Sequence, residues 1–394
     1  MSIEDDAKEV LLKNRRTTDG NLYTVPSPDT YPYQWLWDSC FHAIMLAHFD
    51  PDAAKAELRS LLTKQFSNGM IPHMIYWVPG ELHVYEWGVT GTSSLTQPPL
   101  LAYAAWEIYR RTNDIEFLQQ IYPGTMAFYR YLIAERDPRG HNLVSIINPD
   151  ESGEDNSSRF DSVINAQIDI SYDAHIDLRR KLYTANHAEH HPDVSHRMRE
   201  VFWVKDVPFN AILVKNLRIL AHIASSLKDD VGEHFATMHA GAIKAAMREK
   251  MFDKGVYWST SGSDYTKLYV ETWAHFAPLF ADLYTHEEAD ALLKEHFHND
   301  LTLRGEWGIR TVSRREQSYR PDGFWRGPVW MAPHWFIFKG LMSYGFAEEA
   351  KEIRNASIKL LEHSGFREYF NPETGEGYGA RDFTWGALVL DMMD

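Results

Sequence analysis

The sequence predicts an all-α protein, a toroid of helical hairpins whose long loops gather on one face. Three observations predict it. Apolar residues recur at three- and four-residue steps through most of the chain. Strongly apolar stretches alternate with more charged ones across short turns. The segments between hairpins are long and rich in Gly, Pro and aromatic residues, the composition of ordered functional loops rather than linkers.

The helical periods run in order along the chain. Asp38–His48 precedes Asp52–Phe66, Ser94–Thr112 precedes Ile115–Glu135, and Pro208–Ser226 precedes Gly232–Met251. Val270–Leu283 then precedes Glu287–His296, and Val329–Ser343 precedes Ala347–His363. Stretches such as Leu100-Leu101-Ala102-Tyr103-Ala104-Ala105-Trp106 are too apolar for a half-exposed helix and belong inside. The helices that follow the turns open with acidic residues, as in Asp50-Pro51-Asp52 and Glu287-Glu288, which complement the helix dipole. A ring of such pairs gives a central funnel. A stacked solenoid is the rival, but the chain lacks a sharp repeat of roughly 34 to 45 residues. The loops at 67–93, 141–166, 254–268 and 301–328 are the expected functional face, and residues 1–394 read as one domain.

Composition narrows the function. The chain has 394 residues, 44% of them hydrophobic, enough for a large core. A net charge of −15 argues against nucleic acid and anionic membranes as partners. A lone cysteine, Cys40, cannot form an internal disulfide, metal sites usually draw on Cys or His clusters, and neither metal nor cofactor is expected. No apolar run of ~18 residues predicts a membrane span, and the acidic start lacks signal-peptide character, so a cytoplasmic location is expected. Homo-oligomerisation is left open. The 13 Trp, 20 Tyr and 20 Phe exceed what a core alone requires and suit the C–H faces of sugars.

Four clusters carry chemistry. In Tyr31-Pro32-Tyr33-Gln34-Trp35-Leu36-Trp37-Asp38, Asp38 reads either as a helix N-cap or as a carboxylate gripping sugar hydroxyls beside stacking rings. The segment Asn148–Asp161 crowds Glu151, Glu154, Asp155 and Asp161, and crowding and burial both raise a carboxyl pKa toward that of a general acid. It lacks calcium-loop spacing. Asp322-Gly323-Phe324-Trp325-Arg326-Gly327 offers Trp325 and Arg326 as funnel residues, or as a packing Trp and a structurally paired Arg. In Arg367–Gly375, Glu368 lies among Phe366, Tyr369 and Phe370, whereas Glu373 sits in a Pro/Gly turn and is expected to be solvated. Two carboxylates from distant segments meeting in an aromatic pocket suit cleavage of a glycosidic bond.

Taken in order from Tyr31 to Trp385, Trp-x-Trp-Asp, Glu-Ser-Gly-x-Asp, Trp-Arg-Gly and Glu-x-x-Asn-Pro-x-Thr-Gly resemble glycoside hydrolase family 63, in its bacterial mannosylglycerate and glucosylglycerate hydrolase-like branch. The resemblance implies an (α/α)6 barrel and an inverting α-glycosidase. It carries the general acid onto Asp155 and the general base onto Glu368. It places Tyr31, Gln34, Trp35, Trp37, Asp38, Gln97, Trp325 and Arg326 around a small α-glucoside or α-mannoside. Phe324 stands where glycerate-specific relatives are expected to have Tyr. An α-glucosidase acting on neutral disaccharides or glucosyl-polyols is therefore the near alternative. A sugar epimerase using His42, His73, His83, His275 or His334 is the remoter one, and a carbohydrate-binding protein without turnover the third. For a charged aglycone, Arg197, Arg199, Arg314, Arg315 and Arg320 are available and none is assigned.

Overall fold

The computed structural model describes residues 2–78, 89–185 and 202–394. Its helices form where local chemistry starts and stops them. Helix α1 (Ile3–Lys13) opens on a capping box in which the Ser2 and Asp5 side chains each accept the other's backbone N–H at 3.2 Å. Helices α2 (Leu36–Leu46) and α3 (Pro51–Leu62) follow, the second capped by Asp50 with Pro51 in its first turn. Then come α4 (Leu101–Thr112), α5 (Ile115–Glu135), α6 (Tyr172–Ala185), α7 (Val207–Ser226) and α8 (Asp230–Lys250). The last are α9 (Ala277–Phe280), α10 (His286–Leu292), α11 (Met331–Tyr344) and α12 (Ala347–Ser364).

Two layers emerge from burial. Every residue of α2 is buried, as are most of α7 and α11. The segment Trp273–Phe280, which ends in α9, and the terminal segment Thr384–Met392 are buried throughout. These inner pieces, with α4, pack side by side in chain order, and Thr384–Leu388 packs back onto α2. The amphipathic helices α3, α5, α8 and α12 cover α2, α4, α7 and α11 from outside, and α10 follows α9 across a short turn. Helix α1 covers the Thr384–Met392 segment, so the two ends of the chain share one joint. The arrangement is helix-rich and consistent with an α/α toroid. One apolar cluster runs through it from Ala7 to Met392.

The structure departs from the sequence reading at five places. The period at Ser94–Thr112 becomes helical only at Leu101, because Pro98 and Pro99 hold the preceding chain extended. Val270–Leu283 breaks into a 3-10 turn (Trp273–His275) and the single turn α9, which contains Pro278. Glu287–His296 ends in a π turn at Leu293–Phe297. Helices α1 and α6 lie in segments to which the sequence reading assigned no element.

Strands are short. The three-stranded sheet Val204–Lys205, Thr260–Ser261 and Thr266–Lys267 bridges to Ile146 and backs the acidic loop. The hairpin Arg367–Phe370/Gly377–Arg381 pairs Tyr369 with Tyr378 across an irregularity next to Glu368. Among the described residues no helix is long and apolar enough to cross a membrane.

Candidate active site

The loop that carries Asp155 is held by buried arginines. Glu151, fully buried, takes both arms of Arg136 at 2.8 and 2.7 Å and also accepts the Ile147 and Thr96 amides. Glu154 takes both terminal nitrogens of Arg159 at 2.6 and 2.8 Å and the Trp273 indole N–H at 2.8 Å. Asp161 takes both arms of Arg326 at 2.9 and 2.6 Å. Such forked pairs fix geometry as well as charge. They leave Asp155 as the one of these four carboxyls that lines a cavity.

Gly153 lets the loop approach the aromatic wall. Its φ is +74°, and a Cβ there would lie 2.2 Å from Trp37 Cζ2. The Asp155 side chain keeps 23% exposure, but toward the walled cavity rather than bulk solvent. Burial pushes its carboxyl above the usual range, the Arg179 guanidinium pulls the other way, and Asp150 adds to the upward shift. Arg179, on α6, bonds Asp155 Oδ2 through Nη1 and pairs with Asp150 Oδ1 at 3.2 Å through Nε.

Glu368 enters from the hairpin. Its Oε1 accepts the Tyr31 hydroxyl at 2.7 Å and its Oε2 accepts the Ala380 amide at 2.8 Å. Burial raises its pKa to about 7. Those two hydrogen bonds oppose the rise, and the charge of Asp155 adds to it. Gly379, at φ +65°, is required beneath it, because a Cβ would fall 2.2 Å from Glu368 Oε2.

Both carboxyls line one cleft of ≈ 820 Å³, its open mouth included, a size suited to a small ligand. The chain enters the inner helices from this end, so Trp35, Trp37, Gln97, Trp330 and Trp385 all come from helix starts or the residues before them. Trp325 stacks on Trp330 at 3.9 Å and 7°, and Trp330 stacks on Tyr369. Trp37 meets Trp385 edge-on. Asp38 lies in the first turn of α2, not at its N-cap. Its Oδ1 accepts the Trp385 indole N–H at 2.7 Å, and burial raises its pKa to about 6. Among the described residues the Trp35 indole N–H, on a residue lining the cleft, is buried and finds no hydrogen-bond partner.

Of the residues selected from sequence, Asp155, Glu368, Tyr31, Trp35, Trp37, Asp38, Gln97 and Trp325 line the cleft. Gln34 and Arg326 do not. Gln34 is buried behind the wall, donating to Ser39, Ser60 and Glu57 while accepting from Trp77. Arg326 is the structural partner of Asp161. Glu373 is not simply solvated; it accepts from Arg310 at 2.7 Å and from the Tyr319 hydroxyl. The loop at 254–268 supplies no lining residue and instead builds the backing sheet. Among the histidines considered, His73 lines the cleft, with its pKa lowered to about 3 by burial. His42, His275 and His334 are buried elsewhere. His83, Arg197 and Arg199 lie outside the described residues, and Arg314, Arg315 and Arg320 do not line the cleft.

The sequence reading missed Asp150, Tyr172, Arg179 and Trp330, all of which line the cleft. A signal existed for two of them. Tyr172, His175 and Arg179 are spaced three and then four apart, which puts them on one helical face.

Similarity to known proteins agrees with this geometry. A mannosylglycerate hydrolase from Thermus thermophilus is 31% identical, over 97% of this chain and 98% of its own. A glucosylglycerate hydrolase from Mycolicibacterium hassiacum is 29% identical, over 96% and 95%. The crystal structure of a family 63 mannosylglycerate hydrolase, also from Thermus thermophilus and in complex with Tris and D-glycerate, superposes with a TM-score of 0.90 at 30% identity, covering 100% of both chains. The family model described as the mannosylglycerate hydrolase MGH1-like glycoside hydrolase domain matches residues 31–386. With two carboxyls opening on one aromatic cleft, this chain belongs to that family of glycoside hydrolases, within family 63.

Proposed function

We propose that the protein is an inverting α-glycoside hydrolase that cleaves glucosylglycerate or mannosylglycerate, as a single (α/α)6-barrel domain in the cytoplasm. The observation that carries the mechanism is the pairing itself. Of the carboxyls weighed in the two acidic segments, Asp155 and Glu368 reach the cleft, while Glu151, Glu154, Asp161 and Glu373 are held by arginines. Asp155 delivers its proton to the glycosidic oxygen as the C1–O bond breaks. Glu368 takes a proton from a water that bonds C1 on the opposite face of the ring. Room for that water calls for a carboxyl separation of ~6.5–9.5 Å. Burial raises the Asp155 carboxyl, the direction a proton donor needs, and raises Glu368 to about 7.

The glyceryl aglycone is supported by the relatives' substrates. A second reading, a neutral glucoside, is favoured by Phe324, which presents a ring without a hydroxyl to the cleft. An epimerase would need paired acid–base histidines, and among the described residues His73 alone lines the cleft, held neutral by burial. The test is proton NMR of the product anomer with glucosylglycerate, mannosylglycerate and methyl α-glucoside. Inversion at C1 with the glycerate compounds is expected, and Asp155→Asn and Glu368→Gln should each lower kcat by at least ~10²–10⁴. Retention, or wild-type rates in either variant, contradicts the mechanism.

A further inference from the structure

Arg179 sits in a contradictory place for a glycosidase. A general acid must carry a proton, yet a guanidinium in contact with Asp155 favours its carboxylate. The same side chain pairs with Asp150, so one cation serves two anions. Among the described residues lining the cleft it is the sole Lys or Arg, facing the carboxyls of Asp38, Asp150, Asp155 and Glu368. Among the described residues, the one cationic group placed to meet a charged aglycone is already engaged with the acid.

The seat of Arg179 allows exchange. Among the α6 residues whose side chains are described, His175 and Arg179 are buried and the others are half-buried or exposed. Both His175 ring nitrogens are buried and find no hydrogen-bond partner among the described residues. Among its described side chains, the helix thus buries two polar groups rather than an apolar stripe. Tyr172, at its first turn, remains 48% exposed and meets Phe324 edge-on at 5.5 Å.

We propose that Arg179 is a substrate-released lock. Ahead of substrate binding its guanidinium holds Asp155 as a carboxylate, and an aglycone bearing a carboxylate takes that guanidinium for itself, freeing Asp155 to carry the proton. This inference rests on the hydrolase reading above. Two effects act in one direction on exchange. Asp155 loses its cation and gains an anionic neighbour. The other groups around it, Asp150, Glu368 and the hydroxyls of Tyr31 and Tyr172, either repel its negative charge or are neutral. A neutral aglycone triggers no exchange. Arg179 is thus a positioning residue that turns aglycone charge into discrimination in kcat.

The test is the pH dependence of kcat/KM for wild type, Arg179→Gln and Arg179→Lys on glucosylglycerate and on methyl α-glucoside. The descending limb reports the acid of the free enzyme. In Arg179→Gln it is expected to move to higher pH by about one unit, with turnover of methyl α-glucoside at alkaline pH rising by about tenfold. Turnover of glucosylglycerate should fall at least ~10-fold in the same variant. Arg179→Lys, which keeps the charge, should return the limb toward wild type, and melting curves of both variants check folding. An unmoved limb, or a parallel loss on both substrates, overturns the lock while leaving the hydrolase reading intact. Wild-type enzyme that cleaves neither substrate, or that does not need Asp155, overturns both.

Discussion

Gly379 and Gly153 show how closely the site is drawn at the scale of single residues. Each has a positive φ, and each leaves no room for a Cβ, one beneath Glu368 and the other beside Trp37. Gly379→Ala is expected to displace the Glu368 carboxyl and lower kcat by about 100-fold, since small misplacements cost that much; steady-state kinetics beside a folded circular-dichroism spectrum checks it. Glu368 also predicts a pH signature. Its folded pKa, about 7, lies above the ordinary glutamate value of 4.5, so the folded state binds the proton more tightly. The associated stability is full below about 4.5 and is lost as pH rises through about 7. Glu368→Gln stays neutral, so its melting temperature should exceed wild type by a margin that grows between those values and then levels off. The upper limit is about 3 kcal/mol. Equal melting curves at pH 5 and 8 would contradict the shift. The resemblance to glycoside hydrolase family 63 singled out Asp155 and Glu368, the aromatic neighbours of Glu368 added to its case, and both side chains line the cleft. It could not see that Gln34 faces away from the cleft, because Ser39, Glu57 and Ser60 meet it only in the fold.

At the scale of elements, the acidic loop behaves as a bracket riveted by arginines. Arg136 and Glu151 are both fully buried, so Arg136→Met strands a charge. That should cost ~3–5 kcal/mol, seen as a lower midpoint in urea, and pairing it with Glu151→Gln should recover part of the loss. If Arg136→Met unfolds with the wild-type midpoint, the pair is not structural. The inner and outer helices were legible because their periods are long and their turns carry Asp, Pro and Gly. Helix α6 was not, since among its described side chains the buried ones are a His and an Arg rather than an apolar stripe. The helical period at Val270–Leu283 misled for the opposite reason. Apolar residues continue through a segment that Pro278 and the positive φ of Asp282 keep from forming one helix.

At the scale of the whole molecule, α1 and the Thr384–Met392 segment form one sector of the ring although they stand at opposite ends of the sequence. Lys13 pairs with Asp382 at 2.6 Å, and the Asn14 amide donates to the Asp382 carbonyl. Deleting residues 2–13 should uncover the Thr384–Met392 segment, lower the melting temperature and reduce turnover, because Trp385 in the cleft stands on that segment. Unchanged melting would show that the sector stands without α1. Sequence could not announce this joint, because periodicity is local and the partners are 369 residues apart. The consequence is one of timing. While the polypeptide is being made, α1 precedes its partner and waits, half apolar, until the strand with Glu368 and the turn with Trp385 have followed. The joint that carries Trp385 into the cleft therefore forms only after both of its halves have been made, whatever helices between them have already packed.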